Sequence, residues 1–179
     1  MHDPDDLIRL FNACFALTHN TQLIRGDDEP IYLPADEQIP YHRVVFAHGF
    51  FSSALHECAH WLIAGETRRE QIDYGYWYVP DGRTAAQQAQ FQQVEVKPQA
   101  LEWILSEAAG FRFQFSIDNL NGENTDSESF KFAVQQQVLQ YREQGFFDRA
   151  EQFHCALHDF YDLEKSRYIT IDDLRQMYK

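Results

Sequence analysis

The feature that most constrains this chain is a pair of histidines set in an apolar stretch, His56-Glu57-Cys58-Ala59-His60 between Phe50 and Ile63. Phe50, Ala54, Leu55, Trp61, Leu62 and Ile63 flank it. The segment therefore reads as a half-buried helix, opened by Ser52 or Ser53 as a cap and stopped by Gly65 as a C′ glycine. On a helix, positions i and i+4 lie on one face about one turn apart. Two imidazoles so placed can converge on one first-row metal ion. The glutamate between them is rotated by about 100° and more naturally faces a metal-bound water. The ordinary alternative is a helix with two solvated or core histidines, and the apolar flanks favour the metal reading. Just upstream, Arg43–Ala47 is β-branched and aromatic and reads as a buried strand, with Gly49 turning the chain into the helix.

The other elements follow from periodicity and breakers. Apolar residues at helical spacing predict a helix over 5–17. Residues 26–42, with three prolines and five acids, predict a long loop holding one short strand at Ile31–Leu33. Residues 72–79 read as a strand, followed by a turn at Pro80-Asp81-Gly82. A helix starts at Thr84, Pro98 breaks or restarts it, and a second helical stretch runs to Gly110. Phe111–Ile117 alternates as a strand or extended segment, and 118–126 reads as loop, with a polar turn at Asp118-Asn119-Leu120. Helices are expected over Ser127–Gln144, stopped by Gly145, and over Asp148–Leu163. Thr170 and Asp173 resemble a capping box before a short terminal helix. The fold class is α+β, a small mixed β-sheet packed with several helices, in a single domain 1–179. Its catalytic part spans about 5–120 and its C-terminal helices about 127–179.

Composition narrows the partners. A chain of 179 residues with 44% apolar residues can bury an ordinary core. A net charge of −13 repels a phosphate backbone, so no nucleic acid is expected, and a cationic partner is electrostatically easier. Three distant cysteines, Cys14, Cys58 and Cys155, form neither a disulfide framework nor a CxxC site, which points to a reducing cytoplasm. No apolar run reaches the ~18 residues of a membrane helix, and the acidic start MHDPDDLIRLF does not look like a signal peptide. A monomer is expected.

Two histidines need a third protein ligand, and spacing leaves three open. Glu66 follows His60 just past Gly65, Glu95 lies in the next helical segment, and Glu102 stands seven residues further on, on the same face if the helix runs through Pro98. Two histidines and a carboxylate serve a zinc hydrolase or a non-haem iron oxygenase equally well. In a zinc metallopeptidase or other hydrolase, Glu57 would be the general base. A translation-associated binding protein without enzymatic activity is a third class. Asp27 and Asp28 form an acidic loop, Asp73 opens an aromatic run, and either region could meet a cation if it lined the pocket. A second i,i+4 pair, His154 and His158, lacks the intervening glutamate and reads as ordinary.

Four long motifs in fixed order, GDDEPIYLPAD, RVVFAHGFFSSALHECAHW, DYGYWYVPDGR and VEVKPQALEW, resemble the bacterial elongation factor P hydroxylase family. The resemblance is strong over about residues 5–120 and looser over the C-terminal helices. It implies a mixed fold with a zincin-like or endoribonuclease-like metal-binding helix, and an Fe(II) site of the two-His-one-carboxylate type. The ligands it implies are His56, His60 and Glu95; at such an iron site the catalytic candidate Glu57 would orient His56, a bound water or the substrate ammonium. It further implies dioxygen as cosubstrate and hydroxylation of the β-lysylated lysine of elongation factor P. The electron donor is not implied. Such a substrate side chain carries excess positive charge, which suits Asp27, Asp28 and Asp73 as binding residues.

Overall fold

The computed structural model describes residues 2–73, 84–116 and 127–161. Among the described residues, five α-helices and three strands make up an α+β fold. Helix α1 (Pro4–Phe15) starts on Asp3, whose side chain accepts from the Asp5 N–H, and buries Leu7, Phe11 and Phe15. Strands β1 (Thr21–Arg25), β2 (Ile31–Leu33) and β3 (His42–Phe46) form a mixed sheet in the order β1-β3-β2. β1 runs parallel to β3 with Leu23 opposite Val44, and β2 runs antiparallel to it with Tyr32 opposite Val44. β2 and β3 fall where the sequence predicts strands. β1 does not show in the sequence, because only Thr21 and Leu23 of its five residues are buried.

β1 is an edge strand on a helix rather than on a fourth strand. The Asn12 side chain of α1 takes the place of that strand. Its Oδ1 accepts from the Leu23 N–H at 2.7 Å, and its Nδ2 donates to the Leu23 carbonyl at 3.4 Å. Gly26 then leaves β1 where a Cβ would come within 2.4 Å of the Val45 side chain.

His48 and Gly49 both adopt left-handed backbone, φ 55° and 65°, and turn the chain from β3 into α2 (Phe51–Ile63). Two details of α2 differ from expectation. Phe50 is its N-cap without a side-chain hydrogen bond, and Ser53 accepts instead from the Ala47 N–H at 3.2 Å. Gly65 is not left-handed, and the helix ends on an extended Ala64. The freed carbonyls are met from elsewhere. Arg149 Nη2 donates to Ala64 O at 2.7 Å, Leu62 O at 3.0 Å and Trp61 O at 3.4 Å.

Helix α3 (Ala85–Ala108) opens on a capping box between Thr84 and Gln87 and runs unbroken through Pro98. The proline neither breaks nor restarts it. Pro98 is buried, and packing of the following turns (Ala100, Leu101, Trp103, Ile104, Leu105) offsets the missing N–H. Residues 111–116 belong to neither helix nor strand. The Gln99 side chain holds them, donating to Ser116 O at 2.7 Å and accepting from its N–H at 3.2 Å. Helices α4 (Ser127–Gln144) and α5 (Asp148–Tyr161) complete the described chain, with Gly145 left-handed between them at φ 83°. Of the expected strand 72–79, Asp73 makes an isolated bridge to Tyr32, and 74–79 lies outside the described residues. So do the turn at 80–82, residues 117–126, the end of the expected helix beyond Tyr161, and the terminal helix.

One apolar cluster joins α1, the sheet and α2 to α5. At its centre Phe11 meets Trp61 at 5.0 Å and Phe153 at 5.6 Å between ring centroids, and Phe15 meets Trp61 at 4.8 Å. Trp61 follows His60 directly, so the cluster anchors the histidine helix.

Replacing Asn12 by alanine is expected to leave the Leu23 N–H buried and unpaired and to lower stability by about 1–3 kcal/mol in urea unfolding. A change within about 0.5 kcal/mol, the range of an ordinary surface substitution, would show that water serves this strand edge as well as Asn12 does.

Candidate metal centre

Helix α2 presents His56 and His60 one turn apart, and α3 lies against it carrying Glu95 and Glu102. The two Nε2 atoms are 3.0 Å apart. Glu95 reaches both, with Oε1 at 3.2 Å from His60 Nε2 and Oε2 at 3.5 Å from His56 Nε2. Glu95 is only 3% exposed, and its Oε2 is buried with no hydrogen-bond partner.

These residues fit one divalent ion. Ligand atoms about 2.1 Å from a common ion stand about 3.0 Å apart at a right angle and about 3.4 Å apart at the tetrahedral angle. The Nε2–Nε2 distance of 3.0 Å and the Glu95 approaches of 3.2 and 3.5 Å, made by its two different oxygens, lie close to that interval. They do not choose between an octahedral face and a tetrahedral site. The orphaned Glu95 oxygen is an acceptor aimed at the same point.

On its other side, His56 Nδ1 lies 2.8 Å from Glu102 Oε2. A carboxylate only accepts, so Nδ1 carries a proton, and the neutral ring that a metal would require is the tautomer with its lone pair on Nε2. Glu102 is therefore an outer carboxylate that orients the ligand, as second partners of metal-bound histidines do. Its placement depends on α3 continuing through Pro98, which puts Glu95 and Glu102 two turns apart on one face.

The charges around the histidines are unbalanced. Burial lowers the His56 pKa, but the Glu102 hydrogen bond and the charges of Glu102, Glu95 and Glu57 outweigh it and raise it to about 10. Burial raises the Glu95 pKa, and the two histidines overcome it and hold it at about 2. Glu57 is pushed up, chiefly by burial, against the pull of both histidines. Three carboxylates thus face two imidazoles, a donor set that a divalent cation completes.

Glu57 lines a cavity of about 30 Å³ together with His60, Tyr32, Arg68, Arg69 and Asp73. Asp73 is ion-paired with Arg68 Nε, and the Tyr32 hydroxyl donates to Arg69 O at 2.8 Å. Asp27 and Asp28 are exposed on the turn after β1 and do not line this cavity. Glu66 is exposed and lines a separate cavity with His19, His42, Arg69 and Glu70. Neither Glu66 nor Glu102 joins the trio at Nε2. His154 and His158 belong to a different face, on α5.

Sequence reasoning missed the outer role of Glu102, the cavity wall of Tyr32, Arg68 and Arg69, and the clamp of Arg149 on the end of α2. Only Glu102 left a signal, its seven-residue spacing from Glu95. Arg149 also sits 4.7 Å over the Trp61 ring.

The fold and site together define an α+β protein with a histidine-rich candidate metal centre on a buried helix. The family model described as elongation factor P hydroxylase matches residues 10–171. A Haemophilus influenzae protein named elongation factor P lysine hydroxylase is 56% identical over 163 residues, covering 91% of this chain and 92% of that one. The chain belongs to the elongation factor P hydroxylase family. The match runs through α5, so the C-terminal helices belong to the family pattern together with the motif-rich part. Among the described residues, no helix is long and apolar enough to cross a membrane.

The geometry predicts a graded set of metal affinities by isothermal titration. Glu95→Ala loses binding, Glu102→Ala weakens it about 10–100-fold, and Glu66→Ala leaves it unchanged. Loss in Glu66→Ala with binding retained in Glu95→Ala would reverse the assignment.

Proposed function

We propose that this chain hydroxylates the β-lysylated lysine of elongation factor P at a non-haem Fe(II) centre held by His56, His60 and Glu95. The observation that carries the reading is the convergence of these three side chains in a chain so similar to a named elongation factor P lysine hydroxylase. We read the reaction as a monooxygenation in the cytoplasm by a monomer, and the α2 helix against a mixed sheet as the zincin-like arrangement the resemblance implies.

Fe(II), when bound, supplies the dioxygen activation needed to turn a C–H bond into C–OH, with the second oxygen leaving as water and two electrons coming from an external donor. The protein's own part is positional. Glu102 fixes the His56 tautomer, and Glu95 supplies the anionic ligand. Trp61 and the apolar cluster behind it keep water from the buried side of α2. Glu57 and Asp73, which line the cavity beside His60, receive the substrate ammonium groups. Asp73 does so by exchanging its Arg68 partner. Asp27 and Asp28 attract the cationic side chain from the surface, in keeping with a net charge of −13.

Intact-mass analysis tests the reading. Lysyl-modified elongation factor P incubated with the protein, Fe(II) and air is expected to gain the mass of one oxygen, and neither His56→Ala nor His60→Ala supports the gain. Absence of any gain with metal-loaded protein, across several reductants, would sink the proposal.

A zinc hydrolase is the second reading, favoured by Glu57 standing in the cavity next to His60. Oxygen origin separates the two. Under ¹⁸O₂ in ordinary water, the label is expected in the product lysine, both with the native protein and with Glu57→Gln. Glu57→Gln is expected to lose about 10–100-fold in rate through metal affinity. No label in the lysine from ¹⁸O₂, with bond cleavage incorporating oxygen from H₂¹⁸O and a Glu57→Gln loss near the ~10⁴-fold end of general-base catalysis, would favour the hydrolase.

A further inference from the structure

Helix α5 turns Ala150, Phe153 and Leu157 to the core and leaves one flank outside it. On that flank Glu151, His154, Cys155 and His158 stand at i, i+3, i+4 and i+7, positions that neighbour one another on a helix surface. One ligand atom each from Glu151, His154 and Cys155 lies within 4.8 Å of the others. Cys155 Sγ is 3.7 Å from Glu151 Oε1, and the cysteine is free and exposed. His154 Nδ1 is buried and makes no hydrogen bond. His158 stands one turn beyond His154, and among the described residues its ring has only a 3.7 Å approach to Asp159 as an ion pair.

We propose that Glu151, His154 and Cys155 form a second metal site that takes a thiophilic divalent ion of the zinc class, with His158, outside the group as it stands, swinging in from one turn further on as the fourth donor. A thiolate beside imidazole and carboxylate is a donor set for zinc-class ions and not for magnesium or calcium, which seek all-oxygen cages. Where the first centre has Glu57 after its first histidine, this one has Cys155. The residue that would serve as a base is here a ligand, so the site holds an ion and does not activate water. The ion would cross-link the first three turns of α5. Arg149, which clamps the end of α2, lies two residues before Glu151. The proposal does not depend on the hydroxylase reading.

Cobalt(II) titration of the full chain tests it, under a phosphine reductant without oxygen. His56→Ala/His60→Ala removes the first centre and is expected to bind one equivalent of Co(II) with a thiolate-to-cobalt charge-transfer band in the near ultraviolet. Adding Cys155→Ser abolishes the band and the equivalent. If the double variant does not fold, the same comparison is made between the native chain and Cys155→Ser alone, which should lose the band and one equivalent. No thiolate band in a folded chain, or a band that persists in Cys155→Ser, overturns the proposal. If the first centre binds no metal, the native chain shows one equivalent with the thiolate band, so failure of one site is told apart from failure of the other.

Discussion

The hydrogen bond between His56 and Glu102 is the interaction around which the rest of the molecule is arranged. A carboxylate that is 5% exposed and an imidazole beside it can be buried only as a pair, and removing either partner strands the other at a cost of several kcal/mol. The pair sets strict terms for both helices. Glu95 approaches His56 from the Nε2 side while Glu102 holds Nδ1, so the two glutamates grip opposite edges of one ring. Two turns of helix, about 10.5 Å of rise, separate their backbones, a span bridged by two long side chains converging on the imidazole. A break at Pro98 would swing one glutamate away. That the helix continues there follows from the buried apolar turns after the proline, which gain more by packing than one missing N–H costs.

The second requirement is a fixed α2, and it is met from both ends. The left-handed pair His48-Gly49 delivers the chain from β3 at a set angle. At the other end no glycine cap forms. Arg149 reaches in from α5 to meet three carbonyls, and its guanidinium stacks over Trp61. Burial, the largest effect, lowers its pKa to about 10, yet it stays charged at neutral pH. A cation at a helix C-terminus is also favoured by the helix dipole. The C-terminal helices thus act on the candidate centre without entering it, through Trp61 and the carbonyls that follow His60.

Much of this was legible in the sequence, and the failures share a cause. His56, His60 and the helix that carries them were readable because their spacing and apolar flanks are local. β2, β3, α1, α4 and the left-handed Gly145 were readable for the same reason. What was not readable depends on partners distant in sequence. β1 is a strand because Asn12 of α1 completes its edge. The expected serine cap and Gly65 stop fail because Ser53 turns to Ala47 and Arg149 supplies the stop. Along α3 a buried polar row, Glu95, Gln99, Glu102 and Ser106, occupies positions where a core helix would show apolar residues. That row erases the amphipathic signal, so the proline looked decisive when it was not. Spacing left Glu66, Glu95 and Glu102 equal as third ligand. Only the tertiary arrangement separates an exposed Glu66, a Glu95 that approaches both Nε2 atoms and a Glu102 held at His56 Nδ1.

Charge arithmetic connects the candidate centre to the substrate proposed for it. Glu57, Glu95 and Glu102 place three negative charges around two imidazoles that are neutral when their Nε2 atoms bind metal. A divalent ion leaves one negative charge uncompensated. With Glu95 as the proposed ligand and Glu102 hydrogen-bonded to His56, the surplus would fall to Glu57, the one of the three that lines the cavity beside His60, where a bound cation would offset the burial that raises its pKa. In a hydrolase that surplus would be a base waiting for water. Under the proposed function it would be a counter-charge for an ammonium, and Asp73, which lines the same cavity, would add a second by exchanging its Arg68 partner. The same surplus would work against anionic ligands at the cavity, a repulsion that Arg68 and Arg69 in its lining oppose.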